Sequence, residues 1–233
     1  MSQAKQAVLI TGAAGHLGAA VAAAFERRGA RLVLMDHDAA ALERRFGAMQ
    51  DALRVDVDLL DRDQVAARTA EAIEQVGRIE VLCHVAGGFR MGAKVHETSA
   101  EDWEFLLGLN AVSLLNVAAA VVPHLVAQGG GKIVTVGAAS ALRGEAEMGP
   151  YTASKAALIR LTEAMSAELR DHGVNVNCVL PSIIDTPDNR KAMPDADVTR
   201  WVTPEALADV VVFLASDAAR AVHGAAIPVT GRV

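Results

Sequence analysis

Tyr151 and Lys155 stand four residues apart in Tyr-Thr-Ala-Ser-Lys, a spacing that sets both side chains on one face of a helix. A free phenol titrates near ~10, too high to give or take a proton around neutrality. An ammonium held beside it favours the phenolate and lowers that value, which makes the pair an acid/base device. Tyr151 is the only tyrosine in the chain and follows a glycine-containing loop. Simple packing is the weaker reading of a sole phenol so placed.

A second constellation lies near the start, in AVLITGAAGHLG at 7–18. Apolar Val8–Ile10 reads as a buried strand, and the Ala-rich run Ala19–Phe25 reads as a helix. Between them stand Gly12, Gly15 and Gly18. Strand, glycine turn and helix is the layout that seats a diphosphate on a helix N-terminus. Gly12 permits the tight turn, Gly15 lets backbone N–H groups approach the phosphates, and Gly18 lets helix and sheet pack closely. The helix N-terminus adds unpaired N–H donors and partial positive charge. Arg31–Met35 is a second strand ending at Asp36. An acid about 20 residues beyond such glycines accepts hydrogen bonds from the adenosine ribose. Asp36 would repel a 2′-phosphate, and His37-Asp38 follow it rather than an arginine, so NAD(H) is favoured over NADP(H). Lys155 then has a second use, holding the hydroxyls of the nicotinamide ribose.

These residues need a scaffold, and the rest of the chain supplies one. The 233 residues suit one α/β domain, and a 52% hydrophobic content with only 3% aromatics points to a large core of Ala, Val and Leu. Further strands are expected at Leu53–Val57, Ile79–Val85, Lys132–Val136, Val174–Leu180 and Ala225–Val229. Helices are expected at Arg62–Val76 behind an Asp61 cap, at Ala100–Ala127, at Tyr151–Asp171 and at Pro204–Ala215. Mostly apolar strands alternating with helices imply a parallel sheet covered on both faces. Pro187–Arg200 is polar and holds two prolines, and reads as a mobile insert outside the core. No linker or repeat divides the chain, so 1–233 is read as a single domain.

Composition excludes several classes. The formal net charge is −6 with no basic block, which argues against nucleic acid or an anionic membrane as partner. The longest apolar run, Phe105–Leu125, is broken by Asn110, Ser113, Asn116 and Pro123 and is read as too interrupted to span a bilayer. The N-terminus lacks a signal-peptide layout. Cys83 and Cys178 read as small buried hydrophobes, and the seven histidines show no metal spacing. His96 and His124 read as surface residues. A cytoplasmic protein without a metal is the expectation.

The motifs together resemble the short-chain dehydrogenase/reductase family over nearly the whole chain. The matching pieces are the Thr11–Gly18 turn, Asp36, Asp56-Val57, HVAG at 84–87, Asn110, YTASK at 151–155, and Pro181 followed by Thr186. The resemblance implies a seven-stranded doubly wound (Rossmann) sheet with helices on both faces. It implies hydride transfer on a nicotinamide, with Tyr151 as acid/base, Lys155 lowering its pKa and Asn110 holding a proton-relay water. It places Gly12, Ala14, Gly15, His16, Leu17, Gly18, Asp36, Asp56, Val57, Ala86, Gly87, Pro181, Ile184 and Thr186 around the cofactor. It also implies a homodimer or homotetramer built on the two long helices.

The sequence departs from the family pattern in ways that bear on substrate. Ala138 occupies the place of the usual catalytic serine, with Ser140 two residues on and Ser182 after Pro181 as alternative hydroxyls. The turn is GxxGxxG, and His84-Val85 replaces a usual Asn pair. VAGG at 85–88, the missing serine and DTPDNRKAMPDAD at 185–197 resemble the quinonoid dihydropteridine reductases, whose pterin needs mainly positioning and a proton. Asn110 is not typical of that subgroup. Arg190 and Lys191 are candidate contacts for a small polar substrate. Two other functions share parts of the pattern: a catalytically weak dinucleotide sensor, which Ala138 favours and Tyr151, Lys155 and Asn110 oppose, and an extended-type epimerase, for which the chain is too short.

Overall fold

The structure, a computed structural model, describes residues 5–233. A seven-stranded sheet has the order β3-β2-β1-β4-β5-β6-β7, and every neighbouring pair is parallel. The strands are β1 (Ala7–Thr11), β2 (Arg31–Asp36), β3 (Ala52–Asp56), β4 (Val81–His84), β5 (Gly131–Val136), β6 (Val174–Pro181) and β7 (Ala226–Val229). The helices between them are α1 (His16–Glu26), α2 (Ala39–Phe46), α3 (Arg62–Val76), α4 (Ala100–Leu107), α5 (Ser113–Ala127), α6 (Gly149–Leu169), α7 (Pro187–Ala192) and α8 (Pro204–Leu214). The chain runs outward through β1, β2 and β3, then returns to place β4 on the other side of β1. Strand order reverses between β1 and β4, and such sheets open a crevice above that point at their carboxyl ends.

Both faces are covered. Leu17, Val21 and Phe25 of α1 pack with Leu207 and Val211 of α8 on one face. Val65 and Ala72 of α3 pack with Val117, Val121 and Leu125 of α5 on the other. β1 and β6 are buried along their full length, as strands covered on both sides must be. The valines of α5 are poor intrinsic helix formers, at up to ~0.7 kcal/mol each. Burial of each such side chain contributes about 1.5–3 kcal/mol, so packing decides.

The expected strands and helices are present, with bounds that differ by at most three residues. Asp61 caps α3 as expected, its carboxylate accepting from Gln64 N at 3.0 Å. Three features depart from the sequence reading. α2 was not expected: its apolar face is only Leu42 and Phe46, and its start signal is one Asp38 carboxylate accepting from Ala41 N at 2.8 Å. The segment at 187–200 is not a featureless insert. It folds into α7 and a 3₁₀ turn at Val198–Arg200, closed at its base by the Ile184–Val202 bridge. The third is the run from Ala100 to Ala127. It is a continuous helix of 28 residues, as expected, but it is long and apolar enough by length and composition to cross a membrane, contrary to the reading that its polar residues interrupt the apolar run too much to span a bilayer. Those residues instead find partners inside the protein: Asn116 Nδ2 donates to Leu59 O at 3.0 Å, and Ser113 Oγ donates to Leu109 O at 2.7 Å. The helix is therefore a core element of the sheet's covering layer. Its middle, Gly108–Val112, is a π-turn, with Ser113 N donating to Gly108 O. Such turns re-aim the side chains they carry, and this one carries Asn110.

Candidate active site

The glycine turn joins β1 to α1 at the crevice. Gly12 has φ +63°, and a Cβ there would lie 2.8 Å from Ala86 Cα and N. A Cβ at Gly18 would run into the Gly12 carbonyl and lie 2.7 Å from Ala13 Cα. Inside the protein, a Cβ at Gly15 would meet only Gly12 O, at 3.3 Å. Gly12 and Gly18 thus serve backbone packing, while Gly15 borders the open crevice.

The N–H groups correct one expectation. Ala14 N donates to Asp36 Oδ2 at 3.0 Å, and Gly15 N donates to Gly12 O at 3.2 Å. Neither amide is aimed at an external anion. The first α-helical bond, Ala19 N to Gly15 O at 2.9 Å, leaves the N–H groups of His16, Leu17 and Gly18 as the first-turn donors. Asp36 ends β2 and is almost wholly buried. Its Oδ1 accepts from Asp38 N at 3.3 Å and faces His37 Nδ1 at 3.2 Å. Asp36 O also accepts from Val57 N at 3.0 Å, which ties buried Val57 and exposed Asp56 to the same rim.

Across the switch point, Lys155 and Asn110 meet at Gly87, and Tyr151 lies one helical turn before Lys155 with its ring against Phe89. Pro150 opens α6, and Tyr151 sits half-buried in its first turn. Buried Lys155, one turn on, donates from Nζ to Val136 O at 2.8 Å. A Cβ on Gly87 would sit 2.8 Å from Lys155 Nζ and 2.9 Å from Asn110 Oδ1, so only glycine lets the chain pass between them. The Asn110 side chain is fully engaged. Its Nδ2 donates to Gly88 O at 3.0 Å and to Ser154 Oγ at 2.9 Å, and its Oδ1 accepts from Gly88 N at 2.9 Å. Ser154 Oγ in turn donates to Tyr151 O at 2.8 Å. The π-turn, the loop after β4 and the first turn of α6 are thus locked together. Ser154 was missed from the sequence, although it lies within the YTASK motif; the only signal was a hydroxyl three residues after the tyrosine.

The charges differ from the sequence expectation. Burial pushes the Tyr151 phenol up to about 12, and Lys155 contributes nothing to lowering it in this structure. Burial also brings Lys155 down to about 8. The reason is geometric: the amine is turned to the Val136 carbonyl, and desolvation of both groups outweighs any attraction between them. A sign follows for Lys155. Its folded value lies below the unfolded 10.5, so between pH 8 and 10.5 the unfolded chain binds the proton more tightly and stability rises with pH. Denaturant titrations of the wild type and Lys155→Met should show the wild type gaining relative stability across that window. A flat difference would contradict the buried amine.

His84, part of HVAG and half of the pair that replaces the family's Asn pair, is fully buried at the end of β4. Its Nδ1 lies 3.1 Å from Thr11 Oγ1 and its Nε2 lies 3.2 Å from Ser113 Oγ. Ser113 spends its proton on Leu109 O, so His84 must donate from Nε2 and accept at Nδ1. Burial holds the ring neutral, with its pKa down at about 3. Thr11 Oγ1 also accepts from Ala86 N at 3.3 Å. One imidazole therefore joins the strand before the glycine turn to the π-turn beside Asn110. His84→Ala leaves the Thr11 and Ser113 hydroxyls short of a partner, at ~1–3 kcal/mol each. The urea midpoint should fall sharply, and less for His84→Gln, which keeps a donor and an acceptor.

Other candidates are used elsewhere. Ser182 Oγ donates to Thr230 O at 2.8 Å, which ties it to the C-terminal segment rather than to the site. Arg190 is held by Asp185 in a two-pronged pair at 2.6 and 2.7 Å, so its charge is already met. Thr186 caps α7, accepting from Asn189 N at 3.2 Å, and Asn189 Nδ2 donates to Ile184 O at 2.8 Å. Pro181 ends β6, buried. Ala138 is buried at the end of β5 in extended backbone, and Ser140 lies on the following 3₁₀ turn. His96 is exposed as expected, but His124 is half-buried and accepts from Ile79 N at 3.1 Å. No group of three or more metal-ligating side chains occurs among the described residues.

Comparison with known proteins relates nearly the whole chain to reductases and dehydrogenases. The family model described as enoyl-(acyl carrier protein) reductase matches residues 12–231. The 3-oxoacyl-[acyl-carrier-protein] reductase FabG of Thermotoga maritima is 32% identical over 235 residues, covering 96% of this chain and 95% of that one. The meso-2,3-butanediol dehydrogenase of Serratia marcescens is 33% identical over 234 residues, covering 96% and 92%. Among solved structures, the 3-ketoacyl-(acyl-carrier-protein) reductase of Brucella melitensis complexed with NADH superposes with a TM-score of 0.90 at 26% identity, over 99% of both chains.

Proposed function

Because the chain belongs to the short-chain dehydrogenase/reductase family, we propose that it moves a hydride between NAD(H) and a carbonyl or secondary alcohol, with Tyr151 as acid/base. The observation that carries this reading is the meeting of Lys155 and Asn110 at Gly87, with Tyr151 one helical turn from the lysine, across the switch point from the glycine turn. The residues suit a dinucleotide. A turn that tolerates no Cβ at two positions, first-turn N–H donors on α1 and the acid ending β2 form a cradle for diphosphate and ribose. A nicotinamide, when bound, supplies or accepts the hydride.

The chain's own residues do the rest. His16, Leu17 and Gly18 meet the diphosphate with backbone donors. Asp36 accepts from the adenosine ribose, and Asp56 with Val57 borders the adenine. Lys155 leaves the Val136 carbonyl for ribose hydroxyls and brings its ammonium to bear on the phenol, which lowers the Tyr151 pKa from the burial-raised value. Tyr151 hands its proton to the substrate oxygen on reduction and takes it back on oxidation. Asn110, clamped through its side chain, offers its backbone carbonyl to the water that resupplies that proton. Ile184 and Thr186 lie at the nicotinamide end. Ala138 leaves one hydroxyl fewer to grip the substrate oxygen, so Tyr151 carries more of that task. The exposed Val112, Leu115 and Trp103 of the long helix support a homodimer or homotetramer.

The missing serine and the segment at 185–197 favour a second substrate for the same chemistry, a quinonoid dihydropterin. NADH oxidation measured with a panel of ketones and with quinonoid dihydropterin decides: turnover of ketones supports the reading, and turnover of the pterin alone replaces it. The dinucleotide preference has its own test. Asp36→Asn keeps an acceptor for Ala14 N but removes the charge facing a 2′-phosphate. The ratio of NADPH to NADH dissociation constants should narrow about tenfold, ~1.4 kcal/mol. An unchanged ratio would place cofactor choice elsewhere.

A further inference from the structure

We propose that this site takes an uncharged substrate with a hydrocarbon body, seated on an apolar rim formed by the loop after β4 and the turn after β5. The inference rests on the oxidoreductase reading and adds the substrate class to it.

The rim is defined by exposure. Phe89 is 54% exposed, Met91 57%, Val95 76% and Leu142 60%, and all four lie on the two segments that frame the first turn of α6. Phe89 sets the edge of its ring against Tyr151, with centroids 4.8 Å apart and planes at 86°. Its remaining surface is therefore offered beside the phenol. Val95 reaches the start of α6, where a Cβ on Gly149 would lie 2.6 Å from Val95 Cγ2. Gly92 N donates to Glu147 O at 2.9 Å and joins the two segments. Glu147 holds φ +59°, so this junction is kept at some backbone cost. Scattered exposed apolar residues are ordinary, but here one of them abuts the acid/base group and the other three lie on the same two joined segments, and exposed apolar surface beside a reactive group marks a binding surface.

The charges on the same segments are spent on one another. Arg90 pairs with Asp102 at 2.6 Å and lies 4.0 Å over the Phe105 ring. Lys94 and His96 both face Glu97, at 3.8 and 3.6 Å, and Arg143 faces Glu145 at 3.4 Å. Of the two basic candidates on the neighbouring α7, Arg190 is matched by Asp185, and Lys191 is exposed. On these two segments a carboxylated or phosphorylated substrate finds only cations already engaged with acids, whereas a hydrocarbon body displaces only water from apolar surface. With Ala138 in place of a hydroxyl, a polyhydroxylated substrate also finds one polar partner fewer.

The test measures binding and turnover separately on the wild-type holoenzyme. Ligand binding to the enzyme–NADH complex, followed by nicotinamide fluorescence, compares cyclohexanol, glycerol and 3-hydroxybutyrate, and turnover compares cyclohexanone, dihydroxyacetone and acetoacetate. Cyclohexanol should bind at least tenfold tighter than the other two, and cyclohexanone should have the highest kcat/KM. Phe89→Ser should abolish most of that advantage, chiefly through KM, with NADH affinity unchanged. Leu142→Ser gives a second, independent reading of the rim. Equal or reversed preference, or an unaltered preference in both variants, overturns the proposal. If NADH binds and none of the ketones is reduced, the catalytic reading fails instead, and the binding ratio still decides the substrate class.

Discussion

Tyr151→Phe is expected to lower kcat/KM by about 10²–10⁴-fold, the usual contribution of a positioned general acid or base. The ring keeps its edge contact with Phe89, because the change removes only the hydroxyl. NADH affinity should survive, because the glycine turn, Asp36 and Lys155 are untouched. The loss belongs in kcat as much as in kcat/KM, since proton transfer is made only in the transition state. The wild-type pH profile supplies a second check. In this structure burial alone sets the phenol, at about 12. We expect Lys155 to turn from the Val136 carbonyl toward the phenol when the dinucleotide is bound. Lys155→Met should remove the alkaline-shifted phenol's route back toward neutrality, moving any residual activity to higher pH.

Gly18→Ala is expected to be the most damaging change at the cofactor cradle. The added Cβ meets the Gly12 carbonyl and lies 2.7 Å from Ala13 Cα, and both are backbone that cannot rotate away. Overpacking of this kind costs about 1–3 kcal/mol of stability. The turn must also shift, and the first-turn N–H groups with it. NADH affinity should fall about a hundredfold, ~2.7 kcal/mol. Gly15→Ala separates the two effects. Its Cβ meets only Gly12 O, at 3.3 Å, and otherwise points into the crevice. The urea midpoint should hardly move while NADH binding weakens. Equal losses of stability in both variants would mean that Gly15 also serves packing.

The sheet was legible because its strands are short apolar runs stopped by Gly, Asp or Pro, and because buried parallel strands carry no polar alternation to confuse. The site was legible at the level of which residues meet. Lys155, Asn110 and Gly87 do meet, Tyr151 stands one helical turn from Lys155, and Asp36 does adjoin the glycine turn. What the residues do to one another was less visible. No local pattern announces the π-turn at Gly108–Val112, since a fifth-residue hydrogen bond has no composition signature. The fate of an N–H is tertiary too: Ala14 and Gly15 lost theirs to Asp36 and Gly12. The Tyr151–Lys155 spacing correctly places both on one helix face, but it is silent on desolvation, which dominates both groups here. His84 looked like a deviation and proves to be a buried neutral link, readable only once β1, β4 and α5 are packed. The small helix at Ala39–Phe46 escaped because two apolar residues make no period.

Tracing the hydride tests the central claim most directly. NADH deuterated at nicotinamide C4 is incubated with the wild-type protein and cyclohexanone, and the alcohol is analysed by mass and NMR. The account predicts deuterium on the carbinol carbon of the product, with the label transferred from one face of the nicotinamide only and with Tyr151→Phe forming little product under the same conditions. Product whose carbinol carbon carries no label, or undiminished product from Tyr151→Phe, would contradict it.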